Sequence, residues 1–179
     1  MPSSLTVRIN RAPVLALWGT VVAERLGMPY ETALTVGQTL AGLNAHSKGS
    51  RLGIYAPGEE RPHAPPPPLP AGVRKVRDIT LLGRVIHVAD TPDGPRAIAK
   101  GAVVRAEAVE RYLNTRFGDA LAGVRNEMRR LASRFTPEQL NQEGFHLYEQ
   151  FRPAVPPGER GWGAKGVLDV AKIRALAGR

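Results

Sequence analysis

The stretch GTVVAERLGMPYETALTVGQ, residues 19–38, predicts two helices joined by a short turn. Apolar residues of the first helix recur at helical offsets, namely Val14, Leu17, Trp18, Val21 and Val22. Gly27 is a typical residue for ending that helix, because glycine adopts left-handed conformations without steric penalty. The second helix is predicted over about residues 30–45, with a buried side formed by Ala33, Val36, Leu40 and Leu43. On this helix, Gly37 and Ala41 leave room for another backbone to approach closely.

These two helices resemble a helix-turn-helix DNA-binding unit. Such units place a small residue four positions before the turn glycine, here Ala23 and Gly27, so that the helices cross closely. Apolar residues also stand at the expected offsets, namely Val22, Leu26, Met28, Ala33 and Val36. The resemblance implies that the second helix enters a DNA groove with its outward residues, which are Tyr30, Glu31, Leu34, Thr35 and Gln38. The alternative is a plain helical hairpin.

Two regions of the chain predict β-structure. Leu5, Val7 and Ile9 alternate with polar residues, as in a short strand, and Asn10 follows as a typical helix-capping residue. Apolar runs over residues 79–88 flank Gly83, and the turn sequence of residues 91–94, Thr-Pro-Asp-Gly, precedes a further short run at residues 96–99. The second region is therefore predicted to form a small antiparallel hairpin or meander.

The remaining chain predicts further helices, over about residues 104–117, 119–134, 136–151 and 169–177. Gly118 ends the first of them, and Thr136 with Gln139 forms a capping box that opens the third. Asp169 caps the last one. An apolar stripe on the second comprises Leu121, Val124, Met128, Leu131 and Phe135. The predicted fold class is α+β and mainly α-helical, with an N-terminal helical hairpin, a small sheet and C-terminal helices.

Residues 56–72, APGEERPHAPPPPLPAG, interrupt this pattern. Their four consecutive prolines cannot enter a helix or a central strand and favour an extended polyproline stretch. The segment is interpreted either as a spacer between two domains, residues 1–55 and 73–179, or as a long surface loop on one domain.

The 179-residue chain has no cysteine, which excludes disulfides and thiolate metal sites and is consistent with a reducing compartment. No run of about 18 apolar residues predicts a membrane-spanning helix. The first residues do not have the pattern of a signal peptide. We therefore predict a cytoplasmic protein that does not cross a membrane.

Positive charge is the strongest compositional signal. The formal net charge is +9, and the basic side chains are 20 Arg and 5 Lys. Such an excess attracts polyanions, and the guanidinium group of arginine binds phosphate through two parallel hydrogen bonds. A GC-rich genome is the alternative source of the arginine bias. Arg125, Arg129 and Arg130 lie on one predicted helix and either contact phosphates or form a solvated face.

Two segments outside the predicted helices are candidate ligand sites. Residues 44–51 follow the second helix and combine glycines and hydroxyl groups with basic residues, a pattern that suits phosphate binding or a helix C-cap. The candidate residues there are His46, Ser47, Lys48 and Arg51. Residues 160–166 place Trp162 between glycines, close to Lys165, where the indole ring can stack on a base or can pin a loop. Residues 39–55 and 151–174 also resemble a family of uncharacterised microbial proteins, which implies no activity.

Catalytic motifs are absent from the sequence. The four histidines, His46, His63, His87 and His146, are far apart, and no pair has the spacing of metal ligands on one helix. No nucleophile elbow is recognisable. Residues 161–166 have the glycine spacing of a dinucleotide-binding motif, but their neighbours are typical of a loop and not of a strand followed by a helix. We therefore expect no metal and no cofactor, and we assign no catalytic residues. Whether the protein is an enzyme stays open.

The sequence thus predicts a nucleic-acid-binding protein, with double-stranded DNA favoured over RNA. The predicted contact residues are Tyr30, Thr35, Gln38, Lys48, Arg51, Arg125, Arg129 and Arg130. One alternative is a protein-interaction or assembly module, which includes a homodimer. The other is a binding protein or enzyme for a small phosphorylated ligand, which would use Lys48, Arg51, Trp162 and Lys165. His46 and Ser47 are further candidate ligand residues for it.

Overall fold

The computed structural model describes residues 6–51, 74–99, 101–154 and 166–178, with the backbone alone described for residues 45–51, 74 and 75. The helices are α1 (Arg11–Arg25), α2 (Tyr30–Arg51), α3 (Ala106–Phe117), α4 (Leu121–Ala132), α5 (Pro137–Phe151) and α6 (Val170–Ala177). A single 3₁₀ turn, Gly118–Ala120, precedes α4. The strands are β1 (Thr6–Ile9), β2 (Arg74–Leu81), β3 (Arg84–Thr91), β4 (Gly94–Ala99), β5 (Ala102–Val103) and β6 (Gly166–Asp169). The predicted α+β, mainly helical class is confirmed.

Helix α1 lies at the centre of the fold. Every residue from Pro13 to Ala23 is buried, and the helix packs against α2, α4 and α5. Such all-round burial requires a helix that is apolar on every side, which this segment provides. The indole N–H of Trp18 donates to the Gly144 carbonyl oxygen of α5 at 2.9 Å. The same ring meets Phe151 edge-on, with ring centroids 5.3 Å apart, so α5 is attached to α1 by both polar and aromatic contacts.

Helices α1 and α2 cross at two glycines. A Cβ added to Gly37 would lie 2.5 Å from the Ala16 carbonyl oxygen and 2.6 Å from the Thr20 amide nitrogen. A Cβ on Gly19 would lie 3.0 Å from the Cα of Gly37. The predicted close backbone approach at Gly37 is therefore confirmed. The turn between the helices uses Gly27, whose φ of 105° is the left-handed conformation that the sequence predicted there.

The four strands β2 to β5 form an antiparallel meander in that order, as predicted, although the two-residue β5 was not foreseen. The turn between β2 and β3 has positive φ at both of its residues, 50° at Leu82 and 82° at Gly83. The Leu82 side chain is buried against Gly144 of α5, where a Cβ would overlap it. Asn141 of α5 accepts a hydrogen bond from the Leu82 N–H at 2.8 Å and donates one to the Thr80 carbonyl oxygen at 3.0 Å. Helix α5 thus holds the end of the hairpin.

The local signals of the C-terminal region are confirmed. Thr136 and Gln139 form the capping box of α5, and the Asp169 side chain accepts a hydrogen bond from the Ala171 N–H at the start of α6. Gly118 ends α3 with a φ of 58°. Four residues of the predicted apolar stripe, Leu121, Val124, Met128 and Leu131, are buried on α4, whereas Phe135 lies beyond the end of the helix and is only partly buried. Strand β6, which was not predicted, pairs antiparallel with β1 and so joins the two ends of the described chain.

Helix α2 differs from its prediction at its C-terminal end. It continues to Arg51 and does not stop near residue 45, and Leu43 is 38% exposed where a buried side chain was predicted.

One hydrophobic cluster contains residues from both sides of the proline-rich segment, since Val14, Leu34, Leu81 and Leu147 all belong to it. The described parts of the regions 1–55 and 73–179 therefore share a core. Residues 56–72 themselves lie outside the described residues. Among the helices that the structure describes, none is long and apolar enough to cross a membrane.

Candidate nucleic-acid interface

The face of α2 that was predicted to enter a DNA groove packs against the sheet. Leu34 is 1% exposed and Thr35 is 0% exposed. The Thr35 hydroxyl donates to the Thr32 carbonyl oxygen at 2.8 Å and accepts from the Ala97 N–H of β4 at 2.9 Å. The prediction that Leu34 and Thr35 point outward is therefore wrong, because β4 covers this side of the helix. The half-buried side chain of Gln38 places its Oε1 out of contact with solvent.

The predicted phosphate-binding segment after α2 is part of α2 itself. Residues 44–51 are helical, so the prediction that this segment follows the end of the second helix is wrong. The side chains of His46, Ser47, Lys48 and Arg51 lie outside the described residues. Because an α-helix rises about 1.5 Å per residue, Lys48 lies about 27 Å along the axis from Tyr30. Tyr30 and Lys48 therefore stand near opposite ends of α2.

The predicted stacking residue Trp162 and its neighbour Lys165 fall within residues 155–165, which are outside the described part of the chain.

Tyr30, at the first residue of α2, is held between α3 and α4. Its hydroxyl donates to Oε1 of Glu110 at 3.4 Å, and the Arg125 guanidinium carbon lies 5.5 Å from the centre of its ring. Burial raises the pKa of the Tyr30 phenol, and the positive charge of Arg125 partly opposes that shift. Two of the predicted contact residues, Tyr30 and Arg125, are thus brought together. Their contact is a cation–π pair within the protein, so Arg125 already covers one face of the ring.

Three arginines gather where α1 ends and α4 ends, and we call them the arginine cluster: Arg25, Arg129 and Arg130. Nη2 of Arg129 lies 3.2 Å from Oε1 of Glu24, and Nη2 of Arg25 donates to the Phe135 carbonyl oxygen at 2.9 Å. Arg130 is exposed and forms no ion pair with any described residue. The sequence predicted Arg129 and Arg130 as contact residues but not Arg25, because Arg25 reaches the end of α4 only through tertiary packing.

Several other arginines are matched with carboxylates. Arg77 pairs with Asp90 at 3.8 Å, Arg105 with Glu107 at 3.6 Å, and Arg174 with Glu127 at 3.2 Å. Their charges are partly compensated within the protein, so they contribute less to a field that attracts anions. The arginine cluster differs because only Arg129 of its three arginines is paired with a carboxylate, that of Glu24, whereas Arg25 contacts a backbone carbonyl oxygen.

Acidic and histidine side chains of the described residues do not converge on a metal-ion site. The exposed pair of Asp78 and His87, with 2.5 Å between Oδ1 and Nδ1, joins neighbouring strands of the sheet. No protein family, curated protein or solved structure that was compared with this chain matches it.

Proposed function

We propose that the protein binds nucleic acid through the arginine cluster, by contacts to the phosphate backbone. The observation that carries the proposal is that the ends of α1 and α4 bring Arg25 near Arg129 and Arg130, with one paired carboxylate, Glu24, in a chain of formal net charge +9. Double-stranded DNA is the first ligand to consider, because a duplex carries one negative charge per about 1.7 Å of its axis. We also propose that the protein is located in the cytoplasm.

The geometry of the cluster suits phosphate contacts. Glu24 holds Arg129 and the Phe135 carbonyl holds Arg25, so both guanidinium groups are oriented before a ligand arrives. An oriented side chain loses less rotamer freedom on binding, and the remaining N–H donors of each guanidinium match the oxygens of a phosphate. Because the outward face predicted for α2 is buried at Leu34 and Thr35, this binding does not depend on base sequence.

The test is a salt titration of binding to a short labelled DNA duplex, followed by fluorescence anisotropy. Affinity is expected to fall steeply between about 50 and 200 mM salt, with a logarithmic slope near −0.9 per phosphate contacted. The double variant Arg129→Gln/Arg130→Gln removes two contacts, so its slope should be shallower by about 1.8. A second duplex of unrelated sequence should bind with the same affinity. An RNA duplex of matched sequence tests whether the protein binds DNA more tightly than RNA.

The matched control is Arg77→Gln/Arg105→Gln, which removes the same charge from two arginines that lie outside the arginine cluster. We expect the control to keep the slope of the unaltered protein. Equal losses in both double variants would show that net charge alone, and not the arginine cluster, causes binding. Absence of binding at the lowest salt concentration would refute the proposed function.

A further inference from the structure

A second group of arginines lies at the opposite end of α1, where α1 begins and α5 ends. Nε of Arg11 donates to the Pro153 carbonyl oxygen at 3.0 Å, and the Arg152 N–H donates to the Tyr148 carbonyl oxygen at 2.7 Å. The Tyr148 hydroxyl in turn donates to the Arg11 carbonyl oxygen at 3.3 Å. The Arg11–Pro153 and Tyr148–Arg11 bonds fasten the two helix ends together, so the residues Arg11 and Arg152 are held close to each other.

This arginine pair carries positive charge that no described residue neutralises. Both residues are half-buried, and neither forms an ion pair within the described part of the chain. Burial, and then the neighbouring charge of Arg152, lower the pKa of the Arg11 guanidinium. The first turn of α1 contains no acidic residue, and the prediction that Asn10 caps this helix is wrong, because its side chain forms no capping bond. The positive end of the helix dipole therefore adds to the same field.

The positive charges of Arg11 and Arg152, on neighbouring helix ends, repel each other, and partial burial strengthens that repulsion. Nε of Arg11 is engaged by Pro153, which orients the guanidinium plane, and its Nη groups have no acceptor among the described residues. A tetrahedral dianion can accept hydrogen bonds from two guanidinium groups at once and neutralises both charges.

We infer that Arg11 and Arg152 together form a binding site for a phosphate group, either free phosphate or the phosphate of a small phosphomonoester. The two arginines carry this inference, and the start of α1 only adds to their field. The site is separate from the arginine cluster, because Arg11 and Arg25 stand at opposite ends of α1, about 21 Å apart along its axis. It therefore does not depend on the proposed nucleic-acid binding.

The experiment compares thermal unfolding of the full chain in sodium phosphate and in sodium chloride at equal pH and ionic strength. It adds calorimetric titrations with inorganic phosphate and with glycerol phosphate, which distinguish the free ion from an ester by their relative affinities. Phosphate is expected to raise the melting temperature of the unaltered protein, because a ligand that binds only the folded state stabilises it. In Arg152→Gln this rise should be lost, and the dissociation constant should increase at least about tenfold.

A further prediction concerns the melting temperature of Arg152→Gln in sodium chloride alone. The Arg152 side chain forms no hydrogen bond with any described residue, and its loss relieves the repulsion on Arg11. The melting temperature of Arg152→Gln in chloride should therefore equal or exceed that of the unaltered protein. Arg11→Gln should lose the phosphate response as well, while Arg105→Gln, a paired arginine elsewhere on the surface, should keep it.

The double variant Arg129→Gln/Arg130→Gln separates this site from the arginine cluster, and it should keep the full phosphate response. Three results would overturn the inference. The first is no phosphate-dependent stabilisation of the unaltered protein. The second is the same stabilisation in Arg152→Gln. The third is a fall in the melting temperature of Arg152→Gln in chloride, which would mean that its charge stabilises the unliganded fold.

Discussion

Substitution of Gly37 by alanine tests the packing on which the whole fold is built. The new Cβ would lie 2.5 Å from the Ala16 carbonyl oxygen and 2.6 Å from the Thr20 amide nitrogen. Both neighbours are backbone atoms of α1, which is buried on all sides from Pro13 to Ala23. They cannot swing away as the end of a side chain does, so α1 and α2 must move apart and disturb contacts with α4 and α5.

The expected magnitude follows from two opposing effects. Overpacking of a well-filled core costs about 3 kcal/mol at the upper end of the usual range. Replacing glycine by alanine within a helix stabilises the helix by about 1 kcal/mol, because alanine has the higher helix propensity. The net destabilisation is therefore about 2 kcal/mol, which lowers the melting temperature of a domain of this size by about 4 to 8 °C.

Gly42, on the same helix, provides a matched control. It is exposed, and a Cβ there would meet nothing within 4 Å. Gly42→Ala should therefore gain only the propensity, about 0.5 to 1 kcal/mol, and should raise the melting temperature by about 1 to 4 °C. The same glycine-to-alanine change, made at two positions five residues apart on one helix, should therefore change the stability in opposite directions.

The assay is urea unfolding followed by circular dichroism, with thermal unfolding as a second measurement. Both variants should shift the midpoint without changing the dependence on denaturant, because neither alters the surface exposed on unfolding. If Gly37→Ala proved as stable as Gly42→Ala, the close crossing of α1 and α2 would be refuted. A changed denaturant dependence in Gly37→Ala would also contradict a purely local overpacking.

Three further predictions concern single side chains. Thr35→Val should destabilise the protein by about 1 to 3 kcal/mol in urea unfolding, because it leaves the buried Ala97 N–H without an acceptor, and a neutral result would contradict that bond. Asn141→Ala should cost a similar amount, about 1 to 3 kcal/mol, and should speed hydrogen exchange at the end of β2, whereas unchanged exchange would count against its pairing role. Burial raises the pKa of the Tyr148 phenol well above its usual range, so in an alkaline absorbance titration we expect Tyr148 to ionise only as the helical signal is lost. The unfolded chain loses this proton first, so the stability that Tyr148 contributes declines as the pH rises above about 10, and early ionisation with intact helices would disprove the burial effect.

Local structure was largely determined by the sequence. The glycines that end helices at Gly27 and Gly118, the capping box at Thr136 and the cap at Asp169 were all predicted and confirmed. The physical reason is that each of these signals acts over three or four residues, through a backbone angle or one hydrogen bond. The apolar stripe of α4 was equally predictable, because its period needs only one helix. The short strands β5 and β6 escaped prediction because two or four residues are too few to show a period.

The candidate sites depended on contacts between distant parts of the chain. The second helix could have turned Thr35 either to solvent or to a sheet, and only the packing of β4, 62 residues later, decided that it is buried. Arg129 meets Glu24 across 105 positions, and Arg11 meets Pro153 across 142. No local pattern encodes such neighbours, because a helix presents several faces and the sequence does not say which partner will cover each. The helices were therefore determined locally, whereas the surfaces that remain open to an anion were determined by tertiary packing.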